Sequence, residues 1–161
     1  MATDRPRADV PEERIRCLKD VELFDGLGLD ALSEVASRMI EEEHPAGHVL
    51  VSSGAPLHAL YVVVSGAVEL GEGTSSHRIG ATGTFGEWEI LGEVSVVQSA
   101  VCTLSSRVML LRRESWEDLA FAKRDVLIEI LSNFVRATAR RRAAMRASVD
   151  AAPLFPGNPK L

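Results

Sequence analysis

Two cysteines, Cys17 and Cys102, are all the sulfhydryl chemistry in 161 residues. They lie far apart, fit no metal or redox spacing, and argue for a reducing compartment. Long apolar runs are missing too. The longest, around Leu60–Val64, is far short of the roughly 20 residues that span a bilayer. Met1–Pro11 is charged and has no apolar stretch of the kind a signal peptide carries. These absences make the cytoplasm the expected location. Catalytic constellations are equally scarce. No Gly-x-Ser-x-Gly elbow occurs, and the four histidines do not assemble a metal site. His44 and His48 are four apart, but Pro45 and Gly47 break any helix that would align them. His58 falls in a turn and His77 where a turn opens into a short β-run, and no His-x-His precedes a carboxylate. No metal and no enzymatic activity are therefore expected.

What is present is globular. Hydrophobic residues make up 46% and charged residues 25% of the chain, enough for one domain with a proper core. The net charge of −5 is unevenly spread. Residues 1–106 hold 7 Lys/Arg against 17 Asp/Glu, a net of −10, and residues 107–161 hold 11 against 6, a net of +5. An acidic body argues against nucleic-acid binding by the main domain. The basic segment Arg136–Arg146 reads as a solvated helix end or as a contact surface for an acidic partner.

Along the chain, residues 1–11 are expected to be a loose N-terminus, 12–146 one domain, and 147–161 a flexible tail rich in proline. Residues 12–23 predict a short helix with Ile15 and Leu18 on one face. Gly26 and Gly28 mark a turn. Asp30 is the expected N-cap of a second helix running to Met39. From about Ile40 to Arg112 the pattern changes to short β-runs punctuated by glycine: Val49–Val51, Ala59–Val64, Ala67–Leu70, His77–Ile79, Ala100–Leu104 and Val108–Leu111. The glycines keep no fixed period, which excludes a solenoid. Helical spacing returns around Trp116, Leu119 and Ala120. It resumes from Arg124-Asp125 through Leu127, Ile130, Leu131, Phe134 and Thr138. The expected fold is mainly β with flanking helices: a jelly-roll-like double-stranded β-helix with N-terminal helices and a C-terminal helix pair.

The stretches His44–Leu50, Ser53–Pro56, Leu60–Val68, Phe85–Glu87 and Leu111–Trp116 together resemble, in composition and order, the cyclic-nucleotide-binding domains of catabolite activator protein and of protein kinase A regulatory subunits. His44-Pro45-Ala46-Gly47-His48-Val49-Leu50 resembles that family's entry into the roll. Ser53-Gly54-Ala55-Pro56 resembles its following turn. Leu60-Tyr61-Val62-Val63-Val64-Ser65-Gly66-Ala67-Val68 resembles its central hairpin. Phe85-Gly86-Glu87 resembles the start of its phosphate-binding cassette. Leu111-Arg112-Arg113-Glu114-Ser115-Trp116 resembles its exit into the C-terminal helices. The matches come in family order over residues 15–145.

The resemblance implies cyclic AMP or cyclic GMP as the ligand class and no other cofactor. It gives Gly86 the role of close backbone approach, Glu87 that of the ribose carboxylate, and Trp88 a backbone N–H. It also asks for an arginine about nine residues after the glutamate. This chain has none there: Gln98-Ser99-Ala100 is the best counterpart, and glutamine has neither charge nor fork geometry. A second register, with Leu91-Gly92-Glu93 as the cassette, lacks the arginine as well. Gly86, Glu87, Trp88, Gln98 and Ser99 are thus the candidate ligand residues. Cyclic-nucleotide binding is expected to be weak or lost, with a functional sensor using a non-standard cassette as the alternative. Leu127, Ile130, Leu131 and Phe134 are the candidate stripe for a protein partner or a homodimer through the last helix. The helix-turn-helix that follows this helix in catabolite-activator relatives has no counterpart in the sequence, so sequence-specific DNA binding is not expected.

Overall fold

The structure, a computed structural model, describes residues 10–91 and 99–151. Helix α1, Glu12–Lys19, opens with Glu12 and Glu13 and closes with Arg16 and Lys19, charges that suit the two ends of its dipole. The predicted helix over 12–23 therefore ends early. The chain tightens again as a 3-10 turn, Glu22–Phe24, which buries Leu23 and Phe24. Helix α2, Leu29–Ser37, follows with Gly28 at its N-cap. Asp30, the expected cap, lies one step inside the first turn, where a carboxylate still favours the dipole.

Among the described residues eight strands come next: β1 Ile40–His44, β2 Val49–Val51, β3 Ala59–Ser65, β4 Ala67–Leu70, β5 His77–Gly80, β6 Thr84–Phe85, β7 Ala100–Cys102 and β8 Ser106–Arg112. A short helix α3, Glu87–Leu91, leaves β6, and α4 (Arg113–Ala122) and α5 (Arg124–Ala151) complete the described chain. Helix α5 thus runs past residue 146, into the stretch expected to be tail. Residues 140–149, Arg-Arg-Arg-Ala-Ala-Met-Arg-Ala-Ser-Val, contain no proline or glycine to stop it.

The strands pair antiparallel in two four-stranded sheets, ordered β1-β8-β3-β6 and β2-β7-β4-β5. This is the expected β-roll. The sheets follow from how β3 and β8 are buried. Leu60 pairs with Leu111 and Val62 with Met109. These four side chains join Leu18, Phe24, Val35, Leu119 and Ile130 in the core between sheet and helices. The opposite side chain of β3, Val63, packs with Val68, Phe85 and Cys102 inside the roll. A strand covered on both faces reads as a continuous apolar run. Gly66 turns β3 into β4 at φ +85, and a Cβ there would sit 2.4 Å from the Ser105 carbonyl.

Strand β1 carries three consecutive glutamates and is not foreseen from its residues. It pairs with β8 from Ile40↔Leu110 to His44↔Ser106 at the edge of its sheet. Charge on an edge strand is tolerated because one side faces water. Here it is also used: Arg14 of α1 reaches Glu41 at 2.9 Å, and Arg107 of β8 reaches Glu41 and Glu13. The Arg107 guanidinium holds the Glu13 carboxyl below its usual range. Burial pushes both cysteine thiols up, so neither is an activated nucleophile.

The stripe expected to face a partner is largely internal. Ile130 is fully buried, and Leu127 and Phe134 pack against the same core. The inward face of α5 is Val126, Ile130, Asn133 and Ala137. Asn133 belongs there because its amide donates to the Leu23 and Asp25 carbonyls at 3.1 and 2.7 Å. A polar residue in the buried stripe hides its phase. Ile130→Ala is expected to lower stability by about 2–5 kcal/mol, read as a lower urea midpoint at unchanged m-value.

Candidate functional site

The end of β6 sets the site. Phe85 pairs with Tyr61 across the ladder, and their rings stack with centroids 4.6 Å apart. Gly86 then turns the chain at φ +90. A Cβ at this point would lie 2.3 Å from the Ala59 carbonyl oxygen, so glycine is required. Ile90 N–H closes onto the Gly86 carbonyl and starts α3. From the other side, the Arg113 guanidinium donates to the Glu89 carbonyl at 2.5 Å. The exit from β8 thereby holds the short helix in place.

This arrangement closes one side of a cavity of about 280 Å³, just below the range typical of small-molecule sites. Its walls are apolar: Val51, Leu57, Leu70, Ile79, Phe85 and Ala100. Thr84, Glu87, Glu89, His77 and Arg141 supply its polar groups. Glu87 is buried, and the Thr84 hydroxyl donates to its carboxylate. A buried carboxylate held this way keeps acceptor capacity for a second hydroxyl. That is the chemistry needed to hold a polyol or a ribose.

The structure brings Gly86, Glu87 and Trp88 to this cavity. Trp88 is 43% exposed and meets Phe134 of α5 edge-on, with centroids 5.0 Å apart. Ser99 is placed differently. Its hydroxyl donates to the Gly71 carbonyl at 3.1 Å, and it does not line the cavity. Gln98 and Gly92–Ser95 of the second register lie outside the described residues. Among the described residues no cluster suited to a metal ion occurs, and no helix is long and apolar enough to cross a membrane.

The sequence reading missed Thr84 and Arg141. Thr84 stands three residues before Glu87, with no signal beyond that spacing. Arg141 sits in an arginine run that reads as a solvated helix end.

Comparison with known proteins decides the family. The profile of the cyclic nucleotide-binding domain matches residues 41–123. The chain belongs to the cyclic nucleotide-binding domain family. Within that family it is similar to the CRP-like cAMP-activated global transcriptional regulator of Mycobacterium tuberculosis, with 26% identity over 84 residues. The match covers 52% of this chain and 38% of that regulator, so the chain spans well under half the length of this relative. The Thermus thermophilus catabolite activator protein superposes with a TM-score of 0.65 at 26% identity, over 81% of this chain and 62% of that one. A cyclic nucleotide-binding domain from Methylobacillus flagellatus gives a TM-score of 0.70 at 19% identity, over 92% and 86% of the two chains. This last likeness speaks for the fold alone.

The Trp88–Phe134 contact joins α3 of this cyclic nucleotide-binding domain to α5. Phe134→Ala in a Trp116→Phe background is expected to shift Trp88 emission to longer wavelength, since the indole loses its contact with the Phe134 ring. An unchanged spectrum would show that the contact does not persist in solution.

Proposed function

We propose that this chain is a non-enzymatic regulatory module that binds ordinary cyclic nucleotides weakly or not at all and acts through contacts made by α5. One observation carries the first part. From Glu87 to Ala100 the chain contains no Arg or Lys, and it adds Glu89 and Glu93. A cyclic phosphate needs a cation beside the cassette helix, and removing one partner of such a pair costs roughly 2–5 kcal/mol. At about 1.4 kcal/mol per decade, micromolar binding becomes about millimolar.

The outward face of α5 supports the second part. Ile128 and Val135 are each 63% exposed, and Leu131 between them is half-buried. Ile128, Leu131, Val135 and Thr138 repeat at the a and d spacing of a coiled-coil seam. A second copy of this chain is the occupant this spacing fits, because a heptad seam is completed by another helix with the same repeat. The outward seam takes the place of the stripe Leu127, Ile130, Leu131 and Phe134 expected from sequence.

A second reading is supported by the cavity. Glu87 and Thr84 are already arranged around a space of ligand size, which fits a sensor with a non-standard cassette.

Calorimetric titration with cyclic AMP and cyclic GMP separates the two. Weak heat near millimolar, or none, is expected. Micromolar binding that Glu87→Ala abolishes would establish the sensor instead. For the seam, the double variant Ile128→Glu/Val135→Glu is expected to convert a dimer into a monomer in light-scattering chromatography. A monomeric wild type would remove the seam's role.

A further inference from the structure

The cavity has a cation after all, supplied from another part of the fold. Positions 126, 130, 133 and 137 of α5 face inward and are buried. Helical spacing puts the next inward position at 140–141. Arg140 and Arg141 stand there, where the stripe calls for an apolar side chain. The first half of α5 is fixed by Ile130 in the core and by the Asn133 amide on the Leu23 and Asp25 carbonyls. A helix so anchored carries Arg141 to the cavity, which its side chain lines together with Thr84 and Glu87. Among the described residues lining the cavity, Arg141 is the one permanent cation.

Its present engagement is weak. Arg140 makes the close contact to Glu22, at 2.5 Å. Arg141 lies 3.8 Å from the other oxygen of that carboxylate, with its side chain 56% exposed. A pair this long and this solvated holds its guanidinium loosely. Glu22 keeps Arg140 as a partner when Arg141 turns away. The Arg141 fork is therefore available for bidentate binding of an anion.

We infer that Arg141 of α5 is the anion-binding residue of this cavity, and that the ligand is a hydroxyl-bearing organic anion bridging Glu87 and Arg141. Glu87 accepts a ligand hydroxyl, Arg141 holds the anionic group, and the apolar wall takes the ligand body. Two carboxyl groups, those of Glu87 and Glu89, line the same cavity as Arg141, so the ligand must carry a hydroxyl as well as an anionic group. This inference rests on the cavity being a ligand site and does not require a cyclic nucleotide.

The test is calorimetry of the whole chain with cyclic AMP, cyclic GMP and ribose 5-phosphate, each to millimolar concentration. Wild type is compared with Arg141→Gln, Arg141→Lys, Glu87→Gln and the control Arg146→Gln, with thermal melts confirming that each variant folds. The expected result is saturable binding of ribose 5-phosphate, with the cyclic nucleotides no tighter than about millimolar, and a loss of about tenfold or more on Arg141→Gln. Arg141→Lys should recover part of it, Arg146→Gln should leave it unchanged, and added salt should weaken it. Binding that Glu87→Gln abolishes and Arg141→Gln leaves intact would overturn the assignment of Arg141 while leaving the sensor reading in place. Absence of binding for all three probes would overturn the assignment together with the sensor reading, leaving α5 contacts as the function.

Discussion

Strand β3 has no face left for water. Leu60 and Val62 enter the core under the helices, and Val63 enters the interior of the roll. Its two neighbours, β8 and β6, inherit that position through the ladder. Burying side chains of this size contributes roughly 1.5–3 kcal/mol each. The register is also strictly specified, because a one-residue slip would exchange the two cores. The helices are thus held by the same strand that shapes the cavity. Neither core can rearrange without the other.

That constraint places the cassette. Phe85 is fixed by its stack on Tyr61, and Gly86 follows so close to Ala59 that only a glycine fits. Glu87 is therefore aimed into the roll by backbone geometry and not by its own preference. A buried carboxylate is costly unless it is hydrogen-bonded, and Thr84, on the same two-residue strand, meets that need. Arg113 secures α3 through a backbone carbonyl, and Ile90 seats it in the core, so neither anchor depends on the side chains that face the cavity. The cassette can change its chemistry and keep its shape.

Much of this was legible in the residues. The run Ala59–Val64 reads as a strand that breaks at Ser65-Gly66 before Ala67–Leu70, and β3 and β4 are found there. Phe85-Gly86-Glu87 marks the cassette start through a glycine that the geometry requires. Two features were hidden for physical reasons. Strand β1 is three glutamates long at its centre, and its extended form is stabilised by pairing with β8 and by Arg14 and Arg107, which are remote in sequence. The phase of α5 was misplaced because Asn133 is buried. Its amide is satisfied by carbonyls more than 100 residues away, a partner that no periodicity reveals. Shifting the stripe to Val126, Ile130, Asn133 and Ala137 moves Arg141 from the solvent side to the cavity.

Helix α5 is where the two faces meet. One face is fastened to the body through Ile130 and Asn133, and the other presents Ile128, Leu131 and Val135 outward. A rigid helix does not let these faces move independently. If an anion draws Arg141 toward Glu87, the seam on the far side is reoriented by the same displacement. Linkage then makes the effect reciprocal: whatever pairing through the seam does to α5 alters anion affinity by the same factor. Couplings of this kind are typically about 1–3 kcal/mol, enough to outweigh the weak Arg141–Glu22 pair and mostly below the cost of unseating Ile130. The energetics therefore favour a tilt of α5 about its Ile130–Asn133 anchor, which moves Arg141 and the seam together.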